Sequence, residues 1–116
     1  RLGYQPADVL APLYAGCAAF CFPSLREGFG MPVLEAMAQG APVVTSAGTS
    51  TAEVAGDDAL LVDPLDHDAI GAALHRIVDD PSLAEDLGRR GRARAATYPW
   101  SRTGELTAAA YEEVWA

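Results

Sequence analysis

REGFGMPVLEAM, residues 26–37, decides how the chain can fold. The stretch follows a short apolar run, Ala18–Phe22, which predicts a buried strand. Gly28 and Gly30 let the backbone turn sharply after that strand. Proline is favoured in the first turn of a helix, so a helix is predicted over Pro32–Ala38. A buried strand, a tight turn and a helix in this order predict one βα unit of an α/β protein.

The sequence on either side repeats this alternation of short apolar strands and helices. The alternation predicts a Rossmann-like parallel sheet flanked by helices, with a helical tail after the last strand. Strands are predicted at residues 1–4, 18–22, 41–46 and 59–62, and helices at 7–15, 32–38, 53–55, from Asp66, from Pro81 and through 106–114. Four strands are few for a doubly wound sheet and residue 1 is not Met, so we expect a piece of a longer protein.

Local signals add detail to the predicted helices. Pro12 fits only a first turn, so the helix at 7–15 is expected to start late. Ser50 or Thr51 is expected to cap the short helix that follows. The helix after Asp66 has an apolar face formed by Ile70, Ala73, Leu74, Ile77 and Val78. Two i,i+4 ion pairs are predicted on a solvated face of the next helix, Glu85–Arg89 and Asp86–Arg90.

The composition limits the function classes open to the chain. The formal net charge is −8, with eight Arg and no Lys, which argues against nucleic acid as a partner because phosphate backbones attract cationic proteins. The lack of Lys excludes Schiff-base chemistry within these residues. Cys17 and Cys21 are predicted to be small buried thiols rather than metal ligands or a disulfide. His67 and His75 are predicted on helix surfaces. No apolar run approaches the ~18 residues of a membrane span, and a cytoplasmic location is expected.

The turn before the helix at 32–38 combines groups that suit a phosphorylated sugar. The amides of Phe29, Gly30 and Met31 lie at a predicted helix N-terminus, where unpaired N–H groups and the helix dipole favour anions. Glu27 falls in the loop and Glu35 about one turn inside the helix, and each carboxylate can accept hydrogen bonds from hydroxyls. Together these groups describe a nucleotide-sugar site. From spacing alone, plain helix capping remains an alternative, and the third glycine of a dinucleotide fingerprint is absent.

A family resemblance extends from this turn in both directions. The sequence SLREGFGMPVLEAMAQGAPVV, residues 24–44, closely resembles the signature of retaining glycosyltransferases of family four, which have the GT-B fold. The resemblance covers nearly the whole chain and continues at residues 48–54, 56, 59–64 and 98–100. It implies that residues 1–116 form a partial C-terminal nucleotide-sugar-binding domain, without the N-terminal acceptor domain and the first βα units.

The resemblance also implies a role for each matching residue. Glu27 would contact hydroxyls of the transferred sugar near the reacting carbon and is the implied catalytic residue. The implied donor-binding residues are Gly28, Phe29, Gly30 and Met31 at the diphosphate and sugar, Glu35 at the ribose hydroxyls, and Tyr4 and Gln5 beside the base. Ser24 would shape the turn, and Glu53 is interpreted as a structural anchor of its loop.

The implied reaction moves a sugar from a nucleoside diphosphate donor to an acceptor with retention at the anomeric carbon, without a cofactor or a metal. The acceptor would be a sugar, a lipid-linked glycan or a small molecule. Its site and the basic pair for the diphosphate belong to sequence outside these residues, so the fragment alone is expected to be inactive. Two alternatives stay open: a nucleotide-sugar epimerase of similar architecture and a non-catalytic nucleotide-sugar-binding module.

The resemblance also bears on partners and location. The apolar faces of the last helices, with Trp100 and Trp115, would pack on the missing N-terminal domain. In the fragment they would form an exposed patch prone to self-association. The full-length protein is expected in the cytoplasm, including the inner membrane surface.

Overall fold

The computed structural model of the chain describes residues 1–115, which form three strands and six α-helices. The strands are β1 (Phe20–Phe22), β2 (Val43–Ser46) and β3 (Leu60–Val62). The helices are α1 (Ala7–Gly16), α2 (Met31–Ala38), α3 (Ser50–Ala55), α4 (His67–Asp79), α5 (Pro81–Ala95) and α6 (Trp100–Trp115). A 3₁₀ turn, Gly56–Asp58, separates α3 from β3.

The strands form one parallel sheet in the order β1-β2-β3. Cys21 pairs with Val44, and Val44 pairs in turn with Leu60. The predicted parallel sheet flanked by helices is therefore confirmed. The predicted strand at residues 1–4 is wrong, since this segment joins no sheet. Gly3 there has a φ of 67°, a left-handed value that interrupts an extended backbone.

The core lies on both faces of the sheet because every residue of β2 is buried. On one face Val43 packs in a cluster with residues of α2 and α3, including Met37. On the other face Val44 packs in a cluster with Ile77 of α4 and Leu87 of α5. β1 is half-buried rather than buried on both faces, because it forms one edge of the described sheet.

Two helix starts differ from the predictions. Pro12 lies inside α1 instead of delaying its start. This part of the helix is exposed, so the Asp8 carbonyl that loses its amide partner can bond water. Thr49 holds the N-cap position of α3 without a side-chain capping bond. Ser50 and Thr51 therefore lie inside the helix, and their hydroxyls serve other contacts.

Two side-chain predictions for α4 and α5 also need correction. Val78 is 60% exposed because it lies at the margin of an apolar stripe whose other four residues pack on the sheet. Arg89 pairs with Asp86 rather than with Glu85. The predicted pair of Asp86 with Arg90 is confirmed at 3.2 Å, so one carboxylate lies between two arginines.

α5 packs closely against the end of α2. A Cβ on Gly88 would lie 2.5 Å from the carbonyl oxygen of Gly40, so only glycine permits this approach. Arg92 of α5 donates a 3.0 Å hydrogen bond to the carbonyl of Gln39. Because α5 also packs on the far side of the sheet through Leu87, these contacts fix the position of α2 and of the loop before it.

α6 differs from the other helices because all of its residues are exposed. Its exposed large apolar side chains are Trp100, Leu106, Tyr111, Val114 and Trp115. Despite this apolar character, neither α6 nor any other helix within residues 1–115 is long and apolar enough to cross a membrane.

Candidate functional site

The β1–α2 loop, residues 23–30, lies at the carboxyl edge of the parallel sheet. Ligands of open α/β sheets bind outside this edge. The turn that joins β2 to α3 lies beside it, because β2 is the hydrogen-bonded neighbour of β1. The candidate site is therefore built from two neighbouring strand-to-helix connections.

Three hydroxyl side chains from β2 and α3 hold the backbone of this edge and of the loop. Each donates to a carbonyl oxygen: Thr45 to Phe22 at 2.9 Å, Ser46 to Ser24 at 2.6 Å and Ser50 to Glu27 at 2.7 Å. Within the loop, the Ser24 hydroxyl donates to the Arg26 carbonyl at 2.9 Å, which agrees with the predicted role of Ser24 in shaping the turn. The loop thus has a defined path without any contribution from a ligand.

The loop presents unpaired amides at the start of α2. Gly30 is the N-cap of α2, with φ 101° and ψ 42° and no side-chain cap. No hydrogen bond within residues 1–115 uses the amides of Gly28, Phe29, Gly30 or Met31. Unpaired amides at a helix N-terminus attract anions, phosphate among them.

Glu27 provides an acidic side chain beside these amides. Its carbonyl is fixed by Ser50 at 2.7 Å. Its half-buried side chain takes part in no hydrogen bond or ion pair among the residues that the structure describes. The carboxylate is therefore available to accept hydrogen bonds from a ligand.

Glu35 faces α1 rather than the loop itself. The hydroxyl of Tyr14 donates to Glu35 Oε2 at 3.3 Å, and both side chains line a cavity of about 250 Å³ between α1 and α2. The pKa of Tyr14 is raised, first by burial and then by the neighbouring Glu35 carboxylate. The cavity that contains Glu35 does not include Glu27 or the loop amides, so the two glutamates have different surroundings.

Tyr4 and Gln5 are not brought to the other candidate residues by any hydrogen bond in the described chain. Tyr4 is 94% exposed. The side-chain amide of Gln5 donates to the Leu2 carbonyl at 2.6 Å, so it stabilises its own turn. Their place just before α1 is compatible with the implied contact to a base, but no geometry ties them to Glu35.

Phe29 has an aromatic neighbour that the sequence does not reveal. Its ring lies edge-on to Tyr98, with centroids 6.0 Å apart and an interplanar angle of 77°. Arg94 lies over the same Tyr98 ring, 5.9 Å from the centroid. These residues lie far along the chain from the loop, and the only sequence signal was the family resemblance at residues 98–100.

The thiols and imidazoles lie outside this surface. Cys17 and Cys21 are half-buried free thiols rather than fully buried ones, and burial raises the pKa of both. His67 and His75 are exposed on α4, as predicted. Within residues 1–115, no group of three or more His, Cys, Asp or Glu side chains could hold a metal ion.

The arrangement can bind a ligand that carries both an anion and hydroxyl groups. The amides at the start of α2 suit phosphate oxygens, while the carboxylates of Glu27 and Glu35 suit hydroxyls. Arg26 is the one basic residue within the loop at positions 23–30, and the positive end of the α2 dipole adds to the potential at its amides.

Comparison with known proteins shows a family and a fold for this chain. The sequence model of a family described as "Glycosyl transferases group 1" matches residues 1–94. The O-antigen chain mannosyltransferase B of Escherichia coli is 45% identical over 111 residues, which are 96% of this chain and 29% of that protein. The MMP alpha-(1->4)-mannosyltransferase of Mycolicibacterium hassiacum is 42% identical, over 91% of this chain and 27% of that protein.

A solved structure extends the similarity to three dimensions. The sucrose-phosphate synthase of Thermosynechococcus elongatus matches with a TM-score of 0.89 and 32% identity. The match covers 98% of this chain and 29% of that protein. The chain therefore spans less than a third of the length of each of these three relatives.

Proposed function

Because this chain belongs to the glycosyl transferases of group 1, we propose that it is part of a retaining glycosyltransferase and supplies part of the donor site. The complete protein would move a hexose from a nucleoside diphosphate to an acceptor hydroxyl. The observation that carries the proposal is the run of unpaired amides at Gly28–Met31, with the free carboxylate of Glu27 beside it.

Each group has one task in this proposal. The amides of Gly28, Phe29, Gly30 and Met31 bind the diphosphate, because helix N-termini favour anions. Glu27 accepts hydrogen bonds from the transferred sugar and favours the positive charge that develops at its anomeric carbon. Glu35 accepts hydrogen bonds from the ribose hydroxyls in the cavity that it shares with Tyr14.

The reaction is proposed as a transfer on one face of the sugar. The bond from the acceptor oxygen to the anomeric carbon forms as the bond to the leaving phosphate oxygen breaks. The leaving phosphate takes the acceptor's proton, so the protein needs no nucleophile of its own. Catalysis then comes from positioning and charge stabilisation, which are the tasks that a rigidly held loop can perform.

The sugar that we propose for the first test is mannose. The two curated relatives compared above are both named mannosyltransferases, at 45% and 42% identity. The acceptor site, the missing basic groups and the control of sugar choice are proposed to lie outside these 116 residues. The free thiols Cys17 and Cys21 support a reducing, cytoplasmic location.

The exposed face of α6 suggests how this chain contacts the rest of the protein. Its unburied apolar residues, such as Leu106 and Val114, are proposed to pack against another part of the complete protein. The 116-residue chain alone would then self-associate through the same face and would lack transferase activity.

The proposal is tested by steady-state kinetics of the complete protein with mannose, glucose and galactose donors of GDP and UDP. Glu35→Ala is expected to raise the donor KM roughly 10- to 100-fold, since hydrogen bonds to a charged group are lost. Glu27→Gln is expected to lower kcat about 100-fold. Glu53→Ala is the matched control, because Glu53 is exposed and, within residues 1–115, its backbone carbonyl rather than its carboxylate accepts a hydrogen bond.

Three outcomes would contradict the proposal. Unchanged donor KM and kcat in Glu35→Ala would remove Glu35 from the ribose site. Binding of nucleotide without transfer or donor hydrolysis would favour a non-catalytic binding module. Inversion of the anomeric configuration in the product would exclude the retaining reaction.

A further inference from the structure

Arg94, near the end of α5, holds the C-terminal end of α3. Its Nε donates to the Val54 carbonyl and its terminal nitrogen to the Glu53 carbonyl, both at 2.7 Å. Carbonyls in the last turn of a helix have no partner within the helix and carry the negative end of its dipole, so a guanidinium suits them. Arg94 therefore fixes the C-terminal end of α3 against α5.

The other end of α3 holds the β1–α2 loop. The Ser50 hydroxyl donates to the Glu27 carbonyl at 2.7 Å. The methyl group of Thr51 lies against Gly30, where an added Cβ would be 2.8 Å from it. Whatever fixes α3 therefore also fixes both ends of the segment from Glu27 to Gly30.

Tyr98 contacts both Arg94 and the β1–α2 loop. The Arg94 guanidinium lies 5.9 Å from the Tyr98 ring centroid and donates a long hydrogen bond of 3.5 Å to the Tyr98 hydroxyl. The Tyr98 ring meets Phe29 edge-on at 6.0 Å. The amide of Tyr98 donates to the Ala95 carbonyl at 3.0 Å, so the backbone that carries the ring is fixed to the end of α5. The loop is thus held by its backbone through α3 and by the Phe29 ring through Tyr98.

A cavity next to Phe29 leaves room for its side chain to move, so the contact with Tyr98 matters for the position of the ring. The cavity has a volume of about 450 Å³ and is bordered by Phe29, Tyr98 and the start of α6. Phe29 is 42% exposed, and its aromatic contact within the described residues is with Tyr98. Without the Tyr98 ring, the Phe29 side chain could turn into this space, and the segment from Glu27 to Gly30 would be held only at its two ends by α3.

We propose that Tyr98, supported by Arg94, is a positioning residue for the donor, which acts through Phe29 on the diphosphate-binding amides at Gly28–Met31. The proposal rests on the donor site proposed above. It assigns the connection between α5 and α6 a part in donor affinity, through Phe29 rather than through a contact of Tyr98 with the donor.

The test measures the donor KM, kcat and the Kd for GDP and UDP in the complete protein. Tyr98→Ala is expected to raise KM and Kd roughly 3- to 10-fold, the equivalent of one aromatic contact. Its kcat should fall less than its KM rises, because the amides already bind the diphosphate in the ground state. Tyr98→Phe keeps the ring and loses only the long 3.5 Å hydrogen bond from Arg94, so its KM and Kd should stay within about twofold of the wild type.

A second pair of variants tests the support from α5. Arg94→Ala should raise the same KM, whereas Arg89→Ala, on the same helix but paired with Asp86, should leave it unchanged. A lower kcat at unchanged KM in Tyr98→Ala would indicate a merely structural role and overturn the proposal. Equal losses in Tyr98→Phe and Tyr98→Ala would overturn it too, because the ring would not matter. If the wild type itself binds neither nucleotide and transfers no sugar, the proposed donor site fails first, and the role of Tyr98 with it.

Discussion

Replacement of Gly30 by alanine should destabilise the chain more than any other single-methyl addition in the loop. Gly30 has a φ of 101°, which costs an L-residue about 1–2 kcal/mol. The new Cβ would lie 2.8 Å from the methyl carbon of Thr51, and such overpacking costs a further 1–3 kcal/mol or so. The expected loss in free energy of unfolding is therefore about 2–5 kcal/mol.

Two further variants separate the backbone strain at Gly30 from the steric overlap with Thr51. Gly28→Ala is the matched control, because a Cβ there meets no atom within 4 Å and Gly28 has no positive φ, so its stability should change by about 0.5 kcal/mol or less. Thr51→Ser removes the opposing methyl at a cost of about 1 kcal/mol. In the double variant Gly30→Ala/Thr51→Ser the overlap disappears. Its loss in free energy of unfolding should therefore be smaller than the sum of the two single losses by about 1 kcal/mol or more.

Urea unfolding followed by far-ultraviolet circular dichroism measures these differences. Tryptophan fluorescence is unsuitable, because Trp100 and Trp115 are 76% and 83% exposed on α6 and report little of the core. The Gly30→Ala midpoint should fall by about 1–2 M at an ordinary slope. Equal midpoints for Gly28→Ala and Gly30→Ala would refute the reasoning, and strict additivity in the double variant would remove Thr51 as the cause.

Two predictions concern α5. Asp80 caps it through two amides at 3.0 and 3.1 Å, so Asp80→Ala should cost about 1–2 kcal/mol in urea unfolding, whereas the neighbouring Asp79→Ala should not destabilise. Hydrogen bonds from Arg89 and Arg90 lower the pKa of Asp86, so its ionised form is favoured by folding. That stability is present above the ordinary carboxyl pKa of ~3.9 and is lost as the pH falls through the lowered value. Between pH 5 and 2 the urea midpoint of the wild type should therefore fall more than that of Asp86→Asn, and parallel curves would contradict this.

The sequence predicted those elements for which the spacing of apolar residues and the positions of Gly and Pro agree. The run at 18–22, the glycines and Pro32 together define a strand, a turn and a helix, and the structure has them at Phe20–Phe22 and Met31–Ala38. The four residues at the chain start offered no such agreement, and their predicted strand is wrong. Pro12 misled because its cost in a helix is small where the affected carbonyl reaches water.

The family and fold were predicted from residues 24–44, and the comparisons confirm both. The support of the loop could not be predicted in the same way. The bonds from Thr45 and Ser46 depend on the register between β1 and β2, and the contact of Tyr98 with Phe29 depends on how α5 packs. Both sets of contacts join residues far apart in the sequence, so local sequence patterns do not reveal them. The roles of Glu27 and Glu35 in binding the donor remain predictions.

The hydroxyl bonds from Thr45, Ser46 and Ser50 bear on how the sequence of this loop can change in evolution. Thr45 bonds the carbonyl of Phe22 at the end of β1, and Ser46 and Ser50 bond carbonyls of the β1–α2 loop. Because all three acceptors are backbone atoms, the bonds do not depend on which side chains the loop carries. Leu25, 62% exposed, and the exposed Arg26 can thus be exchanged while the backbone keeps its path. A protein designer, or natural selection, can alter what the loop recognises there without having to rebuild the loop.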